Sequence, residues 1–202
     1  MLKSPETASR RARESNVYYF PHDCTTIFLL FSRKPVTLPP KTKYMKTISI
    51  TDPKEMEAVI RQCPYCMVGI TDADGHPYVL PMNFAYEEGI VYLHSGPDGG
   101  KLAMLRQRPD VCITFCDGHE LVWMHQQVAC SYSMKSRSVI CRGRVEFVDD
   151  MDEKRHILTL LMKHYTDYPC TMGDPAVRNV VVWRVRVEQM TGKSFGLRPS
   201  EL

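Results

Sequence analysis

The stretch 78–101 constrains the fold of this chain more than any other part of the sequence. Residues 78–86 mix aromatic and β-branched side chains, and residues 90–94 alternate again after a turn that contains Gly89. Both runs have strand composition, and the short glycine-containing turn between them predicts an antiparallel hairpin that ends at His94. The chain is therefore expected to build around an antiparallel sheet.

A glycine-rich loop follows this hairpin directly. The chain passes through Ser95-Gly96-Pro97-Asp98-Gly99-Gly100 and enters a segment of helical composition, 101–107, that stops before Pro109. Free backbone N–H groups and the positive end of a helix dipole meet at such a place, and Lys101 adds a positive charge, so the loop suits a phosphate. A solvated turn beside a surface lysine has the same pattern, so the loop alone leaves both interpretations open.

The other periodic segments predict a mainly β protein. Asp52 and Pro53 predict the start of a helix over 53–62, and Asp150 caps a second long helix. A turn at 72–75 predicts that the strand before it pairs antiparallel with the central stretch. The six expected strands, which lack βαβ alternation, favour a small antiparallel barrel with peripheral helices. They are 67–70, 78–86, 90–94, 111–116, 138–147 and 180–187.

Charge and hydropathy exclude two partner classes. The chain has 202 residues and a net charge of +3, but residues 1–44 hold eight Lys and Arg against three Asp and Glu, whereas the remainder has a net charge of −2. The folded part shows no basic stripe interleaved with aromatic residues, so we expect no nucleic-acid partner. The longest apolar run, 27–31, is far shorter than the about 20 residues of a membrane span, so no membrane association is expected.

The N-terminal region has no period from which a core could be built. We expect residues 1–44 to be a disordered or mis-assigned extension, with Met45 as the alternative start, followed by a domain over 45–194 and a tail over 195–202. The basic run Arg10-Arg11-Ala12-Arg13 keeps a regulatory or targeting tail open. The apolar run at 27–31 is followed by Ser32-Arg33-Lys34-Pro35 instead of a cleavage site, so a cytoplasmic location is expected despite eight cysteines.

Two cysteine patterns resemble a redox motif and a zinc site, but the sequence around each of them disfavours that function. Cys63-Pro64-Tyr65-Cys66 has the letters of a glutaredoxin motif, but it follows a helix and precedes a strand, so we expect it to pack. Cys112 and Cys116, followed by His119 and His125, could suggest zinc. The two cysteines lie about 13 Å apart on an extended strand, which is too far for one ion, so no metal site is predicted.

Four motifs follow one another along the chain: P-Y-V-L-P-M-N-F-A-Y at 77–86, V-Y-L-H-S-G-P-D-G-G-K-L at 91–102, S-R-S-V-I-C-R-G-R at 136–144, and M-T-G-K at 190–193. In order and spacing they resemble the pyridoxamine 5'-phosphate oxidase-like flavin proteins, and within them the 5-nitroimidazole-resistance branch. This resemblance implies a six-stranded antiparallel split β-barrel that dimerises with flavin mononucleotide (FMN) at the interface.

The resemblance also implies a set of cofactor-binding residues. Pro81, Met82 and Asn83 are expected beside the flavin ring and ribityl chain, and Gly100 and Lys101 at the phosphate. His94 and Ser95 are expected near the ring or its substrate face, with His94 as the candidate catalytic residue. Ser138 and Val139 are expected to approach from the neighbouring strand.

The function implied by the resemblance is an oxidoreductase fed by NAD(P)H that reduces nitroaromatic, quinone or similar small acceptors. Two alternatives stay open: a flavin-binding or flavin-storage protein without turnover, and a haem or deazaflavin binder on the same barrel with His94 as the obvious ligand. True pyridoxamine-phosphate oxidases hold their substrate with a C-terminal Trp, Arg and His-Asp-Arg motif. That motif is absent here, so oxidation of pyridoxine phosphate is disfavoured.

Overall fold

The computed structural model describes residues 47–196, which form nine strands and four α-helices. The strands are β1 (Ile48–Ile50), β2 (Cys66–Thr71), β3 (Pro77–Met82), β4 (Phe84–Glu87), β5 (Ile90–Ser95), β6 (Asp110–Trp123), β7 (Tyr132–Val148), β8 (Val181–Arg186) and β9 (Gln189–Phe195). The helices are α1 (Pro53–Gln62), α2 (Gly100–Gln107), α3 (Met151–Tyr165) and α4 (Asp174–Arg178). The predicted extension 1–44 and most of the predicted C-terminal tail lie outside the described residues.

The strands join into one antiparallel sheet that has two halves. The sheet order is β3-β2-β6-β7-β8-β5-β4, and β9 pairs with both β7 and β1. We call β3, β2, β6, β7, β9 and β1 the larger half, and β7, β8, β5 and β4 the smaller half. The end strands β3 and β4 follow each other in the chain through Asn83. The sheet therefore curls without closing, as expected for a split barrel with peripheral helices, and the predicted fold class is confirmed.

β7 is the strand that holds the two halves together. Its first part pairs with β6 and β9, and its last residues, Val145 to Val148, pair with β8. Gly143 lies where the pairing changes, and the carbonyl oxygen of Arg186 approaches it so closely that a Cβ would overlap it. Glycine permits this approach of two backbone segments at a barrel corner because it has no side chain.

The barrel interior is filled by its own side chains. Phe84, Phe115 and Trp183 are each 0% exposed, and the Phe84 and Phe115 rings meet edge to face with centroids 4.9 Å apart. A second apolar cluster lies on the other side of the smaller half, where α3 and α4 cover Ala85, Val148 and Val182. The smaller half is thus covered on both faces.

Local sequence signals account for most of these elements. The Asp52 side chain caps α1 by accepting a hydrogen bond from Lys54 N, and Asp150 caps α3 by accepting from the backbone of Asp152 and Glu153. The predicted pairing of β2 with β3 is confirmed by six registered residue pairs. Nine strands form instead of the six expected. The central stretch breaks at Asn83 into β3 and β4, and β1 and β9 form an additional pair whose sequences show no clear alternation of apolar and polar residues.

No helix within residues 47–196 is long and apolar enough to cross a membrane.

The close approach at Gly143 generates a stability prediction. Gly143→Ala should lower the free energy of unfolding by about 3 kcal/mol. The new methyl group would overlap the carbonyl oxygen of Arg186 and would lie 2.9 Å from Val185 Cγ1, so the backbone would have to shift. Gly96→Ala is the matched control, since an added Cβ there has nothing within 4 Å. Urea unfolding of both variants measures the difference. Equal losses would show that the strand crossing at Gly143 is looser than described.

Candidate functional site

The start of α2 is open and lacks a side-chain cap. Gly99 precedes the helix with a φ of 124°, which favours glycine, and no side chain within residues 47–196 accepts a hydrogen bond from the first N–H groups. An added Cβ at Gly96 or Gly99 would have nothing within 4 Å. Lys101 forms no ion pair with any carboxylate of residues 47–196. These features together make a position that can receive an anion.

Ser95 lies at the end of β5, just before this loop. It pairs with Val181, is 8% exposed, and its hydroxyl donates a hydrogen bond of 3.1 Å to the carbonyl oxygen of Gly96. The hydroxyl therefore fixes the direction in which the chain enters the loop. Its lone pairs remain available to a donor.

The solvent-facing side of the larger half forms a second candidate surface, which we call the outer face. Cross-strand partners in a sheet lie on the same face, so the ladder pairs define continuous rows. One row runs Pro81, Met67, Thr114, Ile140, and the next runs Cys116, Ser138, Lys193. Met67 is 37% exposed and Ile140 38% exposed. The outer face thus offers an apolar strip bordered by hydroxyl, thiol and amine groups.

The predicted ring-contacting residues divide between the two faces. Pro81 and Ser138 both belong to the outer face, where β2 and β6 lie between their two strands. Val139 is 0% exposed and Met82 packs against the barrel core, so only their backbone could meet a ligand on the outer face. Asn83 is exposed at the junction of β3 and β4.

His94 is placed differently from its neighbour Ser95. Because side chains alternate along β5, His94 shares a face with Tyr92 and its partner Val182, on the side that α3 and α4 cover. Its Nδ1 atom is buried and has no hydrogen-bond partner among the described residues. Burial lowers the pKa of His94, so the ring is neutral at pH 7. A neutral imidazole can donate one hydrogen bond and accept another.

The Cys63-Pro64-Tyr65-Cys66 segment lies between α1 and β2, as the sequence predicts. Both thiols are buried, and burial raises the pKa of Cys63 to about 11 and that of Cys66 to about 12. The Cys63 thiol donates to the carbonyl oxygen of Val59. Thiols with so little thiolate at neutral pH are poor nucleophiles, which fits a packing role.

One group of side chains in residues 47–196 has the spacing of a metal site. Asp72, Asp74 and His76 lie together in the turn between β2 and β3. The Asp72 carboxylate already accepts hydrogen bonds from the backbone of His76 and Asp74, which lower its pKa. These hydrogen bonds stabilise the turn, and the turn in itself explains why the three side chains lie close together.

Several outer-face residues were not predicted from the sequence. Met67 and Thr114 lie at the outward positions of β2 and β6, and strict alternation along those strands is the signal that could have found them. Lys193 belongs to a recognised motif, but only the pairing of β9 with β7 sets it beside Ser138. That pairing joins segments far apart in sequence.

The fold is a split β-barrel with peripheral helices, and it presents two candidate surfaces for a ligand. Residues 52–194 match the family model for pyridoxamine 5'-phosphate oxidase, which covers more than half of the chain. The chain therefore belongs to the pyridoxamine 5'-phosphate oxidase family, and the predicted family is confirmed. A search of curated proteins gave no match.

Solved structures agree with this assignment. A crystal structure of a candidate 5-nitroimidazole antibiotic resistance protein from Bacteroides thetaiotaomicron VPI-5482 is 58% identical over 76% of this chain and 90% of its own, with a TM-score of 0.69. An FAD-binding protein from Mesorhizobium loti is 25% identical over 75% of this chain and 98% of its own, with a TM-score of 0.53. An FAD and haem binding protein from Mycobacterium smegmatis shares the fold at 16% identity, covering 75% of each chain with a TM-score of 0.66.

Proposed function

We propose that this protein is an FMN-dependent oxidoreductase that reduces nitroaromatic, quinone or similar small acceptors with electrons from NAD(P)H. The observation that carries the proposal is the open, uncapped start of α2 with Lys101 beside it. A phosphate there would satisfy N–H groups that have no side-chain acceptor and would meet a cation. The family membership of the chain supports a flavin as the group that carries this phosphate.

The side chains and backbone groups at these positions are of the kinds that can bind FMN. Gly100 and Lys101 would hold the phosphate, and Pro81 and Ser138 would contact the ring from the outer face. Met82 and Val139 would contribute backbone atoms, and Asn83 an amide group near the ribityl chain. The flavin supplies the two-electron redox chemistry when bound, and the protein supplies its binding and orientation.

A full interior supports a cofactor site outside the barrel. Phe84, Phe115 and Trp183 leave no room for a ring system inside, so a flavin has to lie against an external surface. The outer face alone is too open to enclose a ligand, and a second copy of the chain would cover the exposed Met67 and Ile140. We therefore propose a homodimer with FMN at its interface.

The acceptor class rests on one relative. The Bacteroides thetaiotaomicron protein described as a candidate for 5-nitroimidazole resistance is 58% identical, and a nitroimidazole is a small planar nitroaromatic molecule. A flavin-storage protein without turnover is the main alternative, and a haem or deazaflavin binder is the other. The visible absorbance spectrum of the purified protein separates these cofactors, since flavin, deazaflavin and haem absorb at different wavelengths.

Lys101 provides a direct test of the phosphate position. Lys101→Ala should weaken FMN binding by about 1.5 to 3 kcal/mol, the range for a hydrogen bond to a charged group, and should leave riboflavin binding nearly unchanged because riboflavin has no phosphate. Lys54→Ala is the matched control, since Lys54 lies in the first turn of a helix that Asp52 already caps. Fluorescence titration measures all four affinities. A loss of the same size for riboflavin would remove Lys101 from the phosphate site.

His94 provides a test of turnover. We propose that the acceptor binds beside the end of β5, on the side where the His94 ring lies, and that the neutral imidazole donates a hydrogen bond to it as negative charge develops, an effect worth about 10²-fold or more in rate. His94→Ala should keep FMN but lose that factor in anaerobic NADPH- or NADH-dependent reduction of a nitroaromatic or quinone at saturating FMN. His76→Ala, which removes an exposed turn histidine, should not change the rate.

Two outcomes would contradict this assignment. Wild-type rates no faster than those of free FMN would reject the enzyme and favour a storage protein. Unaltered turnover in His94→Ala, with wild-type rates well above free FMN, would remove His94 from the site and leave the oxidoreductase intact.

A further inference from the structure

Cys116 and His119 form a close pair on the surface of the protein, where β6 bulges. The register of β6 with β7 shifts between Asp117 and Glu120, and Gly118 has a φ of 69°. This turn brings the His119 ring back over the strand, so that its Nε2 atom lies 3.6 Å from the Cys116 sulfur. Both side chains are exposed. A nucleophile and a base therefore lie within reach of each other and of solvent.

Six other cysteines lie within residues 47–196 and lack this combination; Cys112 among them is half-buried. Cys63, Cys66 and Cys141 are buried, and burial raises the pKa of each thiol. Cys130 and Cys170 are exposed like Cys116, but neither thiol contacts an imidazole, and that of Cys170 donates to the carbonyl oxygen of Tyr168. Cys116 is thus the one exposed thiol in the described part of the chain that has a base beside it.

The charges next to this pair are balanced. Asp117 follows Cys116 in the chain, and its carboxylate would repel a negative sulfur. Arg137 forms a salt bridge of 2.7 Å with that carboxylate and also donates to the side-chain oxygen of Gln62. Since the guanidinium is held in place by both partners, the negative charge of Asp117 is compensated where a thiolate would form.

We propose that Cys116 and His119 are a reactive thiol site that takes soft electrophiles of the Michael-acceptor class, such as quinones and maleimides. His119 Nε2 removes the thiol proton, and the sulfur forms a bond to the β-carbon of the acceptor. The electron pair of the carbon–carbon double bond moves to the carbonyl side, which takes up the proton from the imidazolium. No group leaves, and no outside oxidant or reductant is needed. The site requires no bound flavin.

The location of the pair determines what an adduct would cover. Cys116 is the direct cross-strand partner of Ser138, so a group attached to its sulfur would stand on the outer face. Because the proposed second copy would lie on this face too, Cys116, in the row beside Ile140, has to stay open to electrophiles at the border of that interface.

The test measures how fast each cysteine of the full-length native protein is alkylated. The protein is treated with limiting N-ethylmaleimide at pH 7, quenched, digested and analysed by peptide mass spectrometry, so that each cysteine gives its own rate. Cys116 should react about 10-fold or more faster than Cys130 and Cys170, because only Cys116 has a general base in contact. Equal rates for the three exposed thiols would overturn the proposal.

A pair of histidine variants tests the role assigned to the imidazole. His119→Gln keeps a polar side chain without a base and should slow Cys116 alkylation about 10-fold, with Cys130 and Cys170 unchanged. His125→Gln is the matched control, since His125 is also exposed in the same hairpin but uses its backbone to bond Ser131. An unchanged Cys116 rate in His119→Gln, or an equal loss in His125→Gln, would overturn the assignment of His119 as base.

Discussion

The structure depends on one strand that belongs to both halves of the sheet. β7 runs from Tyr132 to Val148, pairs with β6 and β9 along most of its length, and then passes to β8. At the change of partner, Gly143 lets the backbone at Arg186 come into direct contact. Because this crossing fixes how the halves face each other, it also fixes the shape of the space that Phe115 and Trp183 fill.

Alternation along the strands couples that core to the candidate site. The position of each outward residue is fixed by a closely packed inward neighbour, as with half-buried Ser138 next to fully buried Val139. The outer face is therefore held rigid by packing on its other side. The loop before α2 has more free space, since an added Cβ at Gly96 or Gly99 would have nothing within 4 Å, and the Ser95 hydroxyl holds its start through the Gly96 carbonyl oxygen. A rigid surface that can contact a ring and an open loop that can receive a phosphate are the two features that the proposed flavin site requires.

Local signals in the sequence predicted much of this arrangement. The hairpin around Gly89, the caps at Asp52 and Asp150, and the glycine loop before Lys101 are short-range patterns, and the structure forms an element at each. Pairings between distant segments were not predictable in the same way. Nothing near Lys193 in the sequence indicates that β9 would lie beside Ser138. Likewise, the break at Asn83 depends on where the curled sheet has to turn.

The side of the sheet on which each side chain lies was also hard to predict from the sequence. The resemblance implies that His94 and Ser95 both lie near the ring or its substrate face, but consecutive strand residues point to opposite sides of a sheet. In the structure the His94 ring lies toward the cluster under α3 and Ser95 toward the barrel core. Motif matching locates a segment, and only the sheet register decides which of its side chains share a surface.

Hydrogen exchange with and without FMN tests the central claim most directly. The N–H of Leu102 donates to the Gly99 carbonyl oxygen, whereas no side chain of residues 47–196 caps the N–H groups before it, so those groups exchange readily until an anion binds them. The account predicts that FMN slows exchange in a peptide covering 96–105 and that riboflavin slows it much less there. Protection by FMN that leaves this peptide unchanged, and appears only in other parts of the chain, would contradict a phosphate site at the start of α2.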